Sequence, residues 1–172
     1  NLRSVSTLDF DRVHALGVRL KWVARGVDRM YDSILLPTDG SERAAAALDH
    51  AIGAVDAYDA SLNVISVVDR RVVLAADVDN KAAVRADLAK EAENAVMELA
   101  NRAADGGVSV TTATPEGVPY REILSYASDG EIDLLVLGTH GRSGREKRLN
   151  LGSTTERVVK AADRPVLVVD IS

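Results

Sequence analysis

DLLVLGTHGRSG, the sequence of residues 133–144, is an apolar run followed directly by a glycine-rich turn. Four consecutive aliphatic residues are typical of a strand that is buried on both faces of a sheet. The glycines at positions 138, 141 and 144 allow positive φ angles and a close approach of the backbone to a ligand. We therefore expect a buried strand over residues 133–138 whose carboxyl end carries a binding loop.

Similar apolar runs occur on both sides of this segment. They are rich in Val, Ile and Leu and predict strands at residues 33–36, 62–68, 108–113 and 166–169. Between them, helical spacing of apolar residues predicts helices at 41–58 and roughly 81–104, and helices that open at Gly117-Val118-Pro119 and at Gly152-Ser153. Residues 69–80 are expected to form a loop, and Met97 is expected to fill the core.

Near-continuous apolar strands that alternate with helices indicate the fold class. The pattern is typical of an α/β fold with three layers, in which helices cover both faces of a five-stranded parallel sheet. The length of 172 residues fits one such domain with a short appendage. Aromatic residues make up only 3% of the chain, so the core must be built from aliphatic side chains.

The composition excludes several chemistries. The chain has no cysteine, which excludes disulfides, thiolate zinc sites and cysteine nucleophiles. No apolar run approaches the roughly 20 residues of a membrane-spanning helix. We expect a cytoplasmic protein with no membrane partner.

Charge is distributed unevenly along the chain. The formal net charge is −5, but residues 1–29 contain six Lys or Arg and three Asp, so residues 30–172 carry −8. An acidic body argues against a broad nucleic-acid-binding face, and any anion must be bound at a local site.

The segment 1–29 differs in character from the rest of the chain. Its apolar residues approximate a helical stripe, which leaves three interpretations: a docked amphipathic helix, a flexible arm, or translated upstream sequence before a natural start at Met30. We favour the last two and expect one domain over residues 30–172, with residues 1–29 as an extension.

The carboxyl ends of the predicted strands hold the candidate ligand residues, because ligands of open α/β sheets bind at that edge. Glycines 138, 141 and 144 face the predicted helix start at Gly152-Ser153, where free N–H groups and the helix dipole favour an anion. Basic residues at 142, 145, 147 and 148 lie in the same loop. Neither a GxxxxGK[ST] loop nor a GxGxxG fingerprint occurs, so this is a different type of phosphate site.

Two of these segments resemble a known family. YDSILLPTDGS, at residues 31–41, resembles the opening of a universal stress protein domain. Residues 138–141, GTHG, followed by Gly152-Ser153, resemble that family's ATP-binding signature, which reads Gly, two residues, Gly, nine residues, Gly, then Ser or Thr. The segments at 117–119 and 164–169 match as well. One departure is that ten residues, not nine, separate Gly141 from Gly152, so this loop is one residue longer than the signature.

The resemblance implies a Rossmann-like sheet of order 3-2-1-4-5, of the adenine nucleotide alpha hydrolase-like type. It implies that Asp39 holds the ribose hydroxyls, that the backbone of Val67 recognises adenine, and that Leu137 and Gly138 flank the adenosine. The N–H and hydroxyl groups of Gly141, Gly152, Ser153 and Thr154 are implied to bind the phosphates. The expected ligand is ATP, ADP or AMP, with Mg²⁺ bound through the phosphates, and the expected assembly is a homodimer through residues 165–171. The full set of expected contact residues is Pro37, Thr38, Asp39, Val67, Leu137, Gly138, His140, Gly141, Arg142, Gly144, Gly152, Ser153 and Thr154.

Alternatives remain at this point. Asp39 could be only a turn residue before a helix that Ser41 caps. Ser153 has no neighbouring base that would make it a nucleophile, and His140 is not assigned a catalytic or metal-binding role. The leading functional hypothesis is a regulatory, nucleotide-binding stress-response protein. The others are a slow ATPase or autophosphorylating protein, and a family member that binds no nucleotide and acts through protein association.

Overall fold

The computed structural model describes residues 30–139 and 151–170. In chain order its strands are β1 (Ser33–Pro37), β2 (Ser61–Ile65), β3 (Val68–Asp69), β4 (Val110–Ala113), β5 (Glu116–Gly117), β6 (Leu134–Gly138) and β7 (Val166–Val169). The helices of the described residues are α1 (Glu42–Tyr58), α2 (Arg70–Ala75), α3 (Lys81–Asp105), α4 (Pro119–Asp129) and α5 (Ser153–Ala161), with one 3₁₀ turn at Val78–Asn80.

Five of these strands form one parallel sheet in the order β4-β2-β1-β6-β7. Counted among these five strands alone, the order is 3-2-1-4-5, so the predicted fold is confirmed. β1 lies in the middle of the sheet, where Leu35 has Asn63 of β2 on one side and Leu135 of β6 on the other. The two short strands β3 and β5 pair with each other in a separate sheet.

The core divides into two halves, one on each face of the sheet. Side chains alternate between the faces along a strand. Accordingly Ile34 and Leu36 pack with α1 and α3, whereas Leu35 packs on the opposite face with residues of α4 and α5 such as Ile123 and Val158. Helices therefore cover both faces, as the apolar strands predict.

The predicted helix starts are also confirmed. The Ser41 hydroxyl accepts a hydrogen bond from the Ala44 N–H at 3.3 Å and caps α1. Pro119 occupies the first turn of α4, where its missing N–H costs nothing. Gly152 is the N-cap of α5, and Ser153 is its first residue.

The prediction of a single strand over residues 62–68 is wrong. β2 ends at Ile65, and the chain then shifts to pair as β3 with β5. The neighbouring strand β1 ends at Pro37, and the Thr38 N–H donates to the Ile65 carbonyl at 2.8 Å as the chain turns away. Beyond Ile65 the chain pairs with the end of β4 and the segment that follows it. The Ser66 N–H donates to the Ala113 carbonyl at 3.1 Å, and the Val68 N–H donates to the Pro115 carbonyl at 2.9 Å.

Three smaller predictions also need correction. The expected loop at 69–80 contains α2 and the 3₁₀ turn, and β4 begins at Val110 rather than 108. Met97 is 51% exposed instead of buried. It lies on the outer side of α3, whose buried residues are Ala92, Ala95, Val96, Leu99 and Ala103.

The carboxylate of Asp133 joins the starts of the two central strands. It accepts hydrogen bonds from the N–H groups of Asp32 at 2.9 Å and Ser33 at 3.1 Å, and the Asp133 N–H donates to the Ser33 carbonyl at 2.8 Å. This half-buried carboxylate is the acceptor for two backbone N–H groups at the start of β1. It therefore holds β1 and β6 in register at the edge opposite the strand carboxyl ends.

We predict that Asp133→Ala lowers the free energy of unfolding by about 1–3 kcal/mol, because two backbone donors at a half-buried position lose a charged acceptor. Chemical denaturation of the variant measures the effect. Asp87→Ala, which removes an exposed carboxylate from α3, serves as the control and should change stability little. Equal stability of the Asp133→Ala variant and the parent protein would contradict this role.

Candidate functional site

A cleft of about 620 Å³ lies at the carboxyl ends of the sheet strands. Its position follows from the topology. β1 leads into α1 on one face of the sheet, and the adjacent strand β6 leads towards α5 on the other face. The two helices therefore lie on opposite faces of the sheet beyond adjacent strand ends, which is where open α/β sheets bind ligands.

The cleft brings together every predicted contact residue that the structure describes. These nine residues are Pro37, Thr38, Asp39, Val67, Leu137, Gly138, Gly152, Ser153 and Thr154. The other four predicted residues, His140, Gly141, Arg142 and Gly144, lie outside the described residues. Segments that are far apart in the sequence thus meet in one cavity.

The loop after β1 holds Asp39 by local hydrogen bonds. The Asp39 carboxylate accepts from the Ser41 N–H at 3.1 Å, and the Thr38 hydroxyl accepts from the Gly40 N–H at 3.1 Å. Gly40 has a φ of 75°, which a residue with a side chain rarely adopts. Asp39 therefore forms a turn, as the alternative interpretation expects. The same residue also lines the cleft.

The start of α5 is fixed against the end of β6. The Gly152 N–H donates to the Thr139 carbonyl at 2.6 Å, and the buried Thr155 hydroxyl donates to the Gly138 carbonyl at 2.9 Å. No side chain caps this helix, since its N-cap is a glycine. The first-turn N–H groups, which have no partner within a helix, are thus presented at the cleft together with the positive end of the helix dipole.

Apolar side chains also line the cleft, and we call them the apolar wall. They come from β2, the segment after it, the helices α3 and α4 and the end of β6: Ile65, Val67, Leu88, Ala92, Ile123 and Leu137. A cleft that combines apolar side chains with a helix N-terminus matches a ligand that has a flat apolar part and an anionic part.

Some lining residues were not predicted from the sequence. Asp69, Arg71 and Val72 come from β3 and α2, in the stretch that was expected to be a loop, and Glu91 comes from α3. The spacing of apolar residues in α3 predicts which face is buried, but it contains no signal that one end of that face borders a cavity. Only the pairing of β3 with β5 brings the α2 residues to the cleft.

Asp69 and Arg71 form an ion pair at the rim of the cleft. The guanidinium donates to both carboxylate oxygens, with Nη2–Oδ2 at 2.7 Å and Nε–Oδ1 at 2.9 Å. The Arg71 hydrogen bond lowers the pKa of the Asp69 carboxyl below its usual value, with a further contribution from the Arg71 backbone N–H against the opposing effect of burial. Asp69 also caps α2 through that N–H and so fixes the rim.

Residues 30–139 and 151–170 contain no group of three or more His, Asp or Glu side chains arranged to hold a metal ion. None of the helices within these residues is long and apolar enough to cross a membrane.

Comparison with known proteins assigns the family. The model of the universal stress protein family matches residues 30–170. Universal stress protein MJ0531 of Methanocaldococcus jannaschii is 37% identical over 151 residues, which cover 87% of this chain and 88% of the relative.

Solved structures show the same similarity. That of MJ0577, from the same organism, has a TM-score of 0.73 and 33% identity, and the match covers 83% of this chain and 98% of that one. A universal stress protein solved in complex with cAMP has a TM-score of 0.63 and 26% identity, with 83% and 99% of the two chains covered. The chain described here belongs to the universal stress protein family.

Proposed function

We propose that this universal stress protein binds ATP in the cleft at the carboxyl edge of its sheet and acts as a regulatory nucleotide-binding protein in a stress response. The observation that carries the proposal is the convergence of nine predicted contact residues on one cavity of about 620 Å³. Ligand pockets commonly have volumes of roughly 300–1,000 Å³, so the cavity is large enough for a nucleotide.

The two sides of the cleft suit the two ends of a nucleotide. Adenine would lie against the apolar wall near Val67, whose backbone can satisfy the polar edge of the base. The carboxylate of Asp39 would accept hydrogen bonds from the ribose hydroxyls. The N–H groups and hydroxyls of Ser153 and Thr154 would bind the phosphates at the start of α5. The relative solved with cAMP supports an adenine nucleotide as the ligand class.

Mg²⁺ would be bound mainly by the phosphates. The described residues expected at that end of the cleft, Ser153 and Thr154, offer neutral hydroxyl oxygens rather than a cage of carboxylates. Mg²⁺ commonly keeps several waters and takes its remaining ligands from substrate phosphates, which fits such a set. The ion would neutralise charge on the ligand.

A regulatory role is proposed in preference to rapid catalysis. Hydrolysis needs a residue that orients or deprotonates the attacking water. Backbone amides and hydroxyls of the α5 start can bind a phosphate but do not perform that step. We therefore expect ATP turnover, where it occurs, to be slow, and nucleotide occupancy to be the signal.

We predict that Asp39→Ala weakens ATP binding by about 1–3 kcal/mol, because a charge-assisted hydrogen bond to the ribose is lost. Isothermal calorimetry with ATP and Mg²⁺ measures the change. Asp39→Asn is the matched control for the turn, since its amide oxygen can still accept from the Ser41 N–H. It should keep the melting temperature of the parent protein and bind ATP more weakly than the parent.

Two outcomes would count against these assignments. Unchanged ATP affinity in both Asp39 variants would show that Asp39 is only a turn residue. Absence of both binding heat and thermal stabilisation of the unaltered protein at millimolar ATP would eliminate nucleotide binding itself. The remaining hypothesis would then be a protein that acts through association alone.

The homodimer is proposed to form through residues 165–171. Within the described residues β7 is an edge strand that pairs only with β6, and the Leu167 side chain is 39% exposed. An apolar edge strand offers unpaired backbone groups and apolar side chains to a second copy.

We expect Leu167→Lys to shift the protein from dimer towards monomer, because a lysine on an edge strand opposes pairing with another strand. Light scattering after size-exclusion chromatography measures the mass. Thr111→Lys introduces the same side chain at β4, on the opposite edge of the sheet, and should leave the dimer intact. A monomeric parent protein, or dissociation by both variants, would contradict the assignment to β7.

A further inference from the structure

Two arginines from different helices lie over the ring of Tyr120. Arg121 of α4 donates from Nε to the Tyr120 hydroxyl at 3.0 Å, and its guanidinium carbon lies 5.7 Å from the ring centroid. Arg157 of α5 lies over the same ring at 5.2 Å. The charge of a third arginine, Arg71 of α2, adds a smaller contribution that lowers the pKa of the Tyr120 phenol. We call Arg71, Arg121 and Arg157 the basic cluster.

The basic cluster adjoins the proposed nucleotide cleft, although Arg121 and Arg157 are not among the residues that line it. Tyr120 packs against the apolar core on the α4 and α5 side of the sheet, and Pro119, the residue before it, lines the cleft. Arg71 lines the cleft itself. Arg157 lies four residues, or one helical turn of about 5.4 Å, after Ser153, and helical side chains point back towards the N-terminus. Its guanidinium is therefore directed to the same end of α5 as the proposed phosphate site.

Carboxylates of the described residues balance only part of this positive charge. Asp69 pairs with Arg71, and the Glu156 carboxylate hydrogen-bonds to Lys160 of its own helix. Among residues 30–139 and 151–170, neither Arg121 nor Arg157 makes a hydrogen bond to a carboxylate.

The electrostatic effect is visible on Tyr120. The Arg121 hydrogen bond lowers the pKa of the phenol, and the charges of Arg121, Arg157 and Arg71 lower it further against the opposing effect of burial. Gathering like charges costs free energy, and an anion placed among them removes that cost. In a body with a formal charge of −8 over residues 30–172, such a cluster is a local exception.

We infer that Arg121 and Arg157 of the basic cluster contact the terminal phosphates of the bound nucleotide, so that the protein prefers a nucleoside triphosphate to a monophosphate. This inference rests on the proposed nucleotide-binding function. The base, the ribose and the first phosphate would be bound by the cleft and the start of α5, which AMP and ATP share. Only the longer phosphate chain of ATP would extend one helical turn further to the two guanidinium groups.

The test compares the affinities of the full 172-residue chain for ATP and for AMP, by calorimetry at fixed ionic strength. In the double variant Arg121→Gln with Arg157→Gln, we expect ATP binding to weaken about tenfold or more and AMP binding to change less than about threefold. Both side chains are exposed, so the variant should keep the melting temperature of the parent protein.

Two control variants separate phosphate contact from other effects. Lys160→Gln removes one positive charge from the next turn of α5 and should leave the ratio of ATP to AMP affinity unchanged. Arg121→Lys with Arg157→Lys keeps the charge and should retain most of the preference for ATP. A change in the ratio of ATP to AMP affinity that occurs only in the glutamine double variant supports direct contact with the phosphates. A general effect of losing positive charge would change that ratio in Lys160→Gln as well.

Several results would overturn the inference. An unchanged ratio in the glutamine double variant, or equal weakening of ATP and AMP, would show that the basic cluster does not contact the terminal phosphates. If the parent protein binds AMP as tightly as ATP, the inferred preference for a triphosphate is wrong, but the proposed nucleotide binding stands. A parent protein that binds neither ligand would remove the proposed function, and this inference would fall with it.

Discussion

Two hydrogen bonds that join the end of β6 to the start of α5 determine how the cleft is built. The Thr155 hydroxyl donates to the Gly138 carbonyl, and the Gly152 N–H donates to the Thr139 carbonyl. They fix the direction of the helix axis relative to the sheet. Because Gly152 supplies no capping side chain, the first N–H groups of α5 have no acceptor from the cap residue, and the residues that carry them line the cavity. The proposed phosphate site, and the basic cluster one turn further along α5, both depend on this junction.

The rest of the architecture supplies the other walls of the cleft. β1 and β6 are neighbours at the centre of the sheet, and their helices pack on opposite faces, so the cleft lies where the topology switches from one face to the other. The turn at Thr38 and Asp39 closes one side of it, while the apolar ends of β2, α3 and α4 form another. A single chain topology therefore places an apolar surface, a carboxylate and a helix N-terminus around one cavity.

The sequence predicts those parts of the structure that local pattern determines. Buried strands, helix starts at Ser41, Pro119 and Gly152, and the set of residues at the strand ends all follow from apolar spacing and capping chemistry. The common edge at which parallel strands end predicts that the strand-end residues lie together. The full set of nine described site residues was expected from the resemblance to the universal stress protein family.

Features that depend on long-range pairing were not predicted. The break between β2 and β3 arises because β1 ends at Pro37, which the apolar run of β2 does not encode. The same pairing brings α2 with Arg71 to the cleft mouth, so both the rim and the basic cluster require the folded structure. The expectation that Met97 fills the core failed for a different reason: Met97 lies off the apolar stripe of α3, so the spacing itself indicates an exposed side chain.

Nuclear magnetic resonance can test whether the backbone at the start of α5 binds a phosphate, on which the proposed function depends. Isotope-labelled protein would be titrated separately with ATP and with adenosine, which has the same base and ribose but no phosphate. We expect large shifts of the Ser153 and Thr154 amide signals with ATP and small shifts with adenosine. Unmoved signals of these amides at saturating ATP would contradict phosphate binding at this site.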